Sequence, residues 1–127
     1  MYKSQKNYHS INLTKEDILE LESILEDNFA IGNTRKNFNV ETPNRSLEPM
    51  SMYGFFDEQV PKNLDSIRMK YTESAQAQGF SSVKYLSVSI YNFGIIVSIE
   101  GVDEVWVNGM AQVINTFFKE KNLLFYR

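Results

Sequence analysis

The segment Tyr85-Leu-Ser-Val-Ser-Ile-Tyr-Asn-Phe-Gly-Ile-Ile-Val-Ser-Ile-Glu100 is the most regular part of this chain. On both sides of Asn92-Phe93-Gly94, apolar residues occupy every second position, namely Leu86, Val88, Ile90, Ile95, Val97 and Ile99. This alternation is typical of a strand with one buried face, and a short break that contains Asn and Gly indicates a tight turn. The segment therefore predicts an antiparallel β-hairpin with one face in the core.

The same period of two recurs upstream of the hairpin. Ile67, Met69 and Tyr71 alternate with polar residues over 66–72, and a similar pattern covers 37–42. A first, edge-type strand is predicted from 8 to 13. Because the predicted order is a strand, a helix, a run of strands and a closing helix, we expect a mainly antiparallel sheet of about four to five strands.

Two amphipathic helices are predicted around these strands. The first begins after Thr14, which forms a capping box with Asp17, and its apolar stripe consists of Ile18, Leu21, Ile24, Leu25 and Phe29. The second begins after Asp103, a predicted N-cap, and its stripe consists of Trp106, Met110, Val113 and Phe117. Gly109 disfavours a helix interior, so its presence predicts a close approach of that turn to the sheet.

Together these elements predict an α+β fold, a two-layer sandwich in which two helices pack on one face of the sheet. The length of 127 residues fits a single domain over 1–127. The end of the chain, from Asn122 to Arg127, is apolar and aromatic. Such an end is typical either of a further strand or of the N-terminal portion of a longer protein.

Composition excludes several classes of function. The formal charge of −3 makes a nucleic-acid partner unlikely, because phosphate backbones attract basic surfaces. With no cysteine and one histidine, neither a thiolate metal site nor a multi-histidine cluster can form, and no cofactor motif is present. No apolar run is long enough for a membrane span or a signal peptide, so we expect a soluble cytoplasmic protein. An enzyme is not the favoured interpretation.

Two features remain as candidate interaction sites. The stretch 43–61 contains three prolines and a cluster of apolar side chains, Met50, Met52, Tyr53, Phe55 and Phe56, which are either tucked over the open sheet face or kept for recognition. The first helix has an acidic outer face formed by Glu16, Glu20, Glu22 and Asp27, of which Glu20 and Glu22 are the candidates for docking a basic partner.

The leading hypothesis is a non-catalytic module for protein interaction or self-association. The alternative is a small-molecule-binding domain or an enzyme, with a pocket near 43–61 lined by Tyr53, Phe55, Tyr71 and Tyr85 and with polar groups from Asp57, Glu58 or Arg68. The alternation also predicts a polar outward sheet face that displays Arg68, Lys70, Tyr85, Ser87, Ser89 and Tyr91 together. Such a face is either solvated or covered by a partner.

Overall fold

The computed structural model describes residues 1–9, 13–30, 32–57, 64–77 and 80–125. Along the chain the elements are β1 (Tyr2–Tyr8), α1 (Lys15–Glu26), β2 (Thr34–Glu41), β3 (Ser46–Leu47), α2 (Met52–Asp57), β4 (Ser66–Ala77), β5 (Phe80–Tyr91), β6 (Gly94–Gly101) and α3 (Glu104–Phe125). The described strands form one six-stranded sheet in the order β1-β6-β5-β4-β2-β3, and each neighbouring pair is antiparallel. The predicted α+β class with a mainly antiparallel sheet is confirmed.

The predicted hairpin is confirmed as β5–β6, and its register places Val88 opposite Val97 and Ile90 opposite Ile95. The first strand differs from the prediction, because it covers Tyr2–Tyr8 and not 8–13. Its side chains are mostly polar and exposed, so hydrophobic alternation gave no signal for it. Residues 10–12 of the predicted strand lie outside the described residues. The sixth strand is β3, whose two residues are too few to show a period.

All three helices contribute to one hydrophobic core on one face of the sheet. In α3 the buried positions are Val107, Met110, Ile114, Phe117 and Phe118. Val113, which was predicted to be buried, is 39% exposed, because the buried stripe lies about one residue further round the helix. The prediction for Gly109 was also wrong, since it is exposed and an added Cβ would meet nothing within 4 Å.

The helix starts agree with the predictions. Thr14 and Asp17 form the capping box of α1, and the Asp103 carboxylate accepts a hydrogen bond from the Val105 backbone N–H at 3.0 Å. At the other end of the chain, 122–125 continue α3, so the alternative of a further strand is wrong for those residues. No helix in the described ranges is long and apolar enough to cross a membrane.

The opposite face of the sheet displays polar residues in register across β4 and β5. Arg68 lies opposite Ser89, and Lys70 lies opposite Ser87. The tyrosines Tyr85 and Tyr91 extend this row along β5, opposite Thr72 and Ser66. The predicted common display of these side chains is confirmed.

Candidate functional site

The candidate site lies at the β2 edge of the sheet, where pairing is incomplete. On one side β2 pairs with β4 along its whole length, from Thr34 to Glu41. On the other side β3 pairs only with Val40 and Glu41. In the described ranges, 34–39 therefore have no strand on this side.

Pro49 explains why β3 stops. Val40 lies opposite Leu47, so a β3 two residues longer would place Pro49 opposite Phe38. The Thr42 N–H donates to the Arg45 carbonyl on the β3 side of β2. Backbone groups point to the same side at every second residue, so Phe38 also faces this side. A residue paired with Phe38 would therefore have to donate its N–H as well as accept a hydrogen bond. Proline has no N–H to give, so it is confined to places where the ladder ends.

The direction of the β2 backbone follows from two hydrogen bonds. The carbonyl oxygens of Asn33 and Glu41 both accept from the β4 side, from Ser74 N and Asp65 N. Backbone groups alternate in direction along a strand, so the N–H and C=O of Lys36 and Phe38 point away from β4. Among the described residues these groups have no strand partner, so they form a short open edge.

A groove runs along this edge. Its cavity of about 600 Å³ lies between β2 and the segment Glu48–Met50 and is lined by Thr34, Lys36, Asn37, Phe38, Asn39, Glu48, Pro49, Met50, Arg68 and Lys70. A second cavity, of about 400 Å³, is lined by Arg45, Leu47, Glu48, Pro49, Met50, Ser51, Gly54 and Phe55. The segment from Glu48 to Met50 contributes to both cavities, and Met50 is 93% exposed there.

The charge along the groove is mainly positive. Lys36 is neutralised by Glu26, with 2.7 Å between Nζ and Oε1. Arg68 and Lys70 lie on the outward side of the groove, and Glu48 is the carboxylate among the lining residues. The Lys70 ammonium also lies 6.0 Å from the centre of the Tyr85 ring, a cation–π distance.

Helix α2 positions the far wall of the groove, and Glu22 positions α2. The Glu22 carboxylate of α1 accepts hydrogen bonds from the backbone N–H groups of Met52 (2.8 Å) and Tyr53 (3.1 Å). These are unpaired donors at the start of a helix, and a carboxylate satisfies them well. The prediction that Glu22 is an exposed docking residue was wrong, because the side chain is only 6% exposed.

The structure divides the other predicted interaction residues between core and surface. In α2, the side chains of Met52, Phe55 and Phe56 are buried in the core. Helix α2 packs beside α1 on the helical face, so it does not cover the outward face of the sheet. Tyr53 is 68% exposed but does not line the two cavities of the groove. Glu20 forms an ion pair with Lys121 of α3 at 2.8 Å, a partner that the acidic-face prediction did not include.

The pocket predicted for a small molecule does not form as expected. Tyr71 faces the helices and is fully buried, whereas Tyr85 lies on the outward face, so one cavity cannot be lined by both. Burial, together with the nearby carboxylates of Glu26 and Glu22, raises the pKa of Tyr71. The Tyr71 ring stacks on Phe29 at 5.3 Å, which makes it a core residue. Glu58 lies outside the described residues.

A second polar cluster lies beside the groove on the outward face. Arg68 Nε donates to Ser89 Oγ at 3.3 Å, and Arg68 Nη2 donates to the Tyr91 hydroxyl at 3.5 Å. The hydrogen bond from Arg68 lowers the pKa of Tyr91. The Tyr91 ring stacks on Phe93 at 5.0 Å, and Phe93, in the hairpin turn, is 71% exposed.

Sequence reasoning listed Arg68 among outward-facing residues but missed the β2 edge. The available signals were the polar run Thr34-Arg-Lys-Asn37, typical of an edge strand, and Pro49 soon after a short strand. In the described part of the chain, no group of three or more acidic or histidine side chains could hold a metal ion. No family model matches the chain, and the searches of curated proteins and of solved structures gave no match either.

Proposed function

We propose that this protein is a non-catalytic interaction module that binds an extended segment of another protein as an added strand along β2. The observation that carries the proposal is the outward backbone of Lys36 and Phe38, which lies inside a groove and has no strand partner in the described part of the chain. Strand addition takes its affinity from main-chain hydrogen bonds and its selectivity from the adjacent side-chain pockets. The cytoplasmic location expected from the sequence is part of this proposal.

Charge favours a different protein over a second copy of this chain. Antiparallel pairing of two β2 edges about Arg35 would place that residue opposite itself, and like charges directly opposite each other destabilise a sheet. A segment with acidic side chains would instead complement Arg68 and Lys70. The groove volume of about 600 Å³ would also hold a small molecule. Its strand edge and polar walls favour a peptide backbone over a mainly apolar ligand.

The test is selection from a phage-displayed library of random peptides, each about ten residues long so that it can pair along a strand of ordinary length. The selected peptide is then titrated against two variants. Lys36→Pro removes the outward N–H and places a proline ring at the edge, whereas Lys36→Ala removes the same side chain and ion pair but keeps the N–H. Circular dichroism and thermal unfolding check that both variants fold.

We expect Lys36→Pro to weaken binding at least about tenfold relative to Lys36→Ala. The reason is that the proline removes about one main-chain hydrogen bond and its ring also blocks the approach of the peptide. Equal binding by the two variants, or failure of the library to yield any peptide, would overturn the proposal. Light scattering provides a separate outcome. A dimer that Lys36→Pro abolishes would identify a second copy as the occupant and overturn the choice of a different protein.

A further inference from the structure

We infer that Arg68 and the small cavity beside it form a pocket for one carboxylate of the docked segment. This inference rests on the proposed strand addition, because the docked segment would carry the acidic side chain. The cavity measures about 80 Å³ and lies on the outward sheet face, where Arg68, Asn39, Ser66, Ser89 and Tyr91 line it. Drug-sized ligands need several hundred Å³, so this volume suits a single side-chain group.

The Arg68 guanidinium is held in place before any ligand arrives. Its Nε donates to Ser89 Oγ and its Nη2 to the Tyr91 hydroxyl. Ser89 is itself buried, so the anchor for Nε is part of the sheet surface and not a freely rotating side chain. An arginine that is already ordered loses less conformational freedom when it binds.

Donors of the guanidinium remain for a ligand. Arginine has five N–H donors, and two are used by Ser89 and Tyr91, which leaves both on Nη1 and one on Nη2. These donors lie at the end of the planar fork, where a carboxylate accepts two parallel hydrogen bonds. The ion pairs found in the described part of the chain use Lys3, Lys36, Lys84 and Lys121 and do not involve Arg68.

The remaining wall of the cavity favours a singly charged group. Asn39 and Ser66 add neutral hydrogen-bonding side chains. Glu41 also lines the cavity, and its Oε1 accepts from Ser46 Oγ at 2.8 Å, a contact on the β3 side. The Glu41 carboxylate repels any anion but a doubly charged phosphate more than a singly charged carboxylate, so of these two anions the cavity favours an Asp or Glu side chain.

Arg68 also connects this pocket to the proposed docking groove, because it lines both cavities. Asn39 of β2 is likewise shared by the two. An acidic side chain on the outward side of an added strand would approach Arg68 over the short Asn37 and Asn39 side chains. The pocket would then select the partner segment and fix its register along β2.

The pocket is tested without any peptide, by NMR titration with N-acetylglutamate α-amide, its neutral analogue N-acetylglutamine amide, and inorganic phosphate. The readouts are the Arg68 Nε–H signal and the backbone amides of Ser89 and Tyr91. We expect saturable shifts with the carboxylate probe, weaker shifts with phosphate and none with the neutral amide. Arg68→Lys keeps the charge but loses the fork, so it should weaken binding at least about tenfold.

Lys3→Gln is the matched control, since it removes another cation, paired with Glu100 at the far edge of the sheet. Unchanged binding of the carboxylate probe by Arg68→Lys, equal binding of the neutral probe, or an equal loss in Lys3→Gln would overturn the pocket. These outcomes are independent of strand addition. Peptide binding by Lys36→Ala but not by Lys36→Pro would still support docking if the pocket failed, and probe binding at Arg68 would persist if docking failed.

Discussion

The two edges of the sheet differ in how they are finished. At one edge β1 pairs with β6 over seven residues, Tyr2–Tyr8, and its Lys6 and Tyr8 side chains both donate to Asn115 of α3. At the other edge β3 covers two residues of β2 and then leaves the sheet at Pro49. A cavity of about 20 Å³ separates β1 and β6 from α3, whereas the groove along the open side of β2 measures about 600 Å³.

The two edges differ in what surrounds their outward backbone groups. β1 presents Lys3 and Lys6 on a strand that α3 fixes in place, and charged residues on an edge oppose unwanted strand pairing. On β2, Lys36 likewise forms an ion pair, with Glu26, but here the segment Glu48–Met50 lies beside the open backbone positions as one wall of the groove. The outward hydrogen-bonding groups of the β2 edge therefore lie inside a groove.

The anchoring of β1 by α3 should give the largest effect. Phe118 is fully buried and packs on Tyr8 with ring centroids 4.7 Å apart. We expect Phe118→Ala to lower the free energy of unfolding by about 3–5 kcal/mol, as for other large buried aromatic residues. Urea unfolding measures this free-energy difference. Val113→Ala on the same helix is the control and should cost much less, because Val113 is partly exposed. Equal losses in the two variants would contradict the orientation of α3 in which Phe118 faces the core and Val113 is partly exposed.

The wall of the β2 groove should be the next most sensitive feature. Glu22→Gln removes the negative charge from the side chain that accepts hydrogen bonds from the Met52 and Tyr53 N–H groups. We expect the free energy of unfolding to fall by about 1–3 kcal/mol, as for a buried hydrogen bond to a charged group. Glu20→Gln is the matched control on the same helix and loses only an exposed ion pair. If both variants unfold at the same urea concentration, the cap does not hold α2.

A smaller, pH-dependent effect should come from Asp17, which links α1 to Lys121 of α3 at 3.2 Å. Burial raises the pKa of the Asp17 carboxyl, but hydrogen bonds from Thr14 and Lys121 outweigh it and hold the pKa below its usual range. A lowered folded-state pKa contributes stability above about pH 4, and this stability is lost as the pH falls through the folded-state value. We expect the stability advantage of the wild type over Asp17→Asn to shrink on acidification in that window. A constant difference from pH 6 to pH 2 would contradict the assignment.

The smallest change in stability should come from Pro49→Ala, within about 0.5 kcal/mol, yet it tests the edge directly. In the wild type we expect the amides of Lys36 and Phe38 to exchange with solvent faster than those of Asn37 and Asn39, which face β4. Restoring the N–H at 49 should allow β3 to extend and slow the exchange of Phe38. Slow exchange of Phe38 already in the wild type would show that the edge is paired.

Much of the fold was predictable because it depends on local patterns. The capping box at Thr14, the N-cap at Asp103 and the alternation around Asn92-Phe93-Gly94 each lie within a few residues of the element that they define. The sequence predicted that Val113 of α3 faces the core, whereas the neighbouring Ile114 does. Both apolar residues satisfy nearly the same helical spacing. Packing against the sheet decides between them.

The candidate site was less predictable for the same physical reason. Helix α2 is six residues long, and its first N–H groups are satisfied by Glu22, 30 residues earlier in the chain. Short helices have little intrinsic stability, so their sequences carry a weak signal. The cluster 50–56 was correctly singled out as apolar, but only the fold separates exposed Met50 from buried Met52.

By itself, then, the sequence determined the hairpin, the two long helices and the α+β class, because side-chain periodicity and capping are local properties. Only the tertiary structure decided which strands became edges and what lies beside them. Strand pairing uses backbone groups that every residue has, so β1 joins β6 without a matching side-chain pattern. Gly94 shows this dependence: it belongs to a local turn, yet an added Cβ would lie 2.6 Å from the Tyr8 carbonyl oxygen of the distant β1.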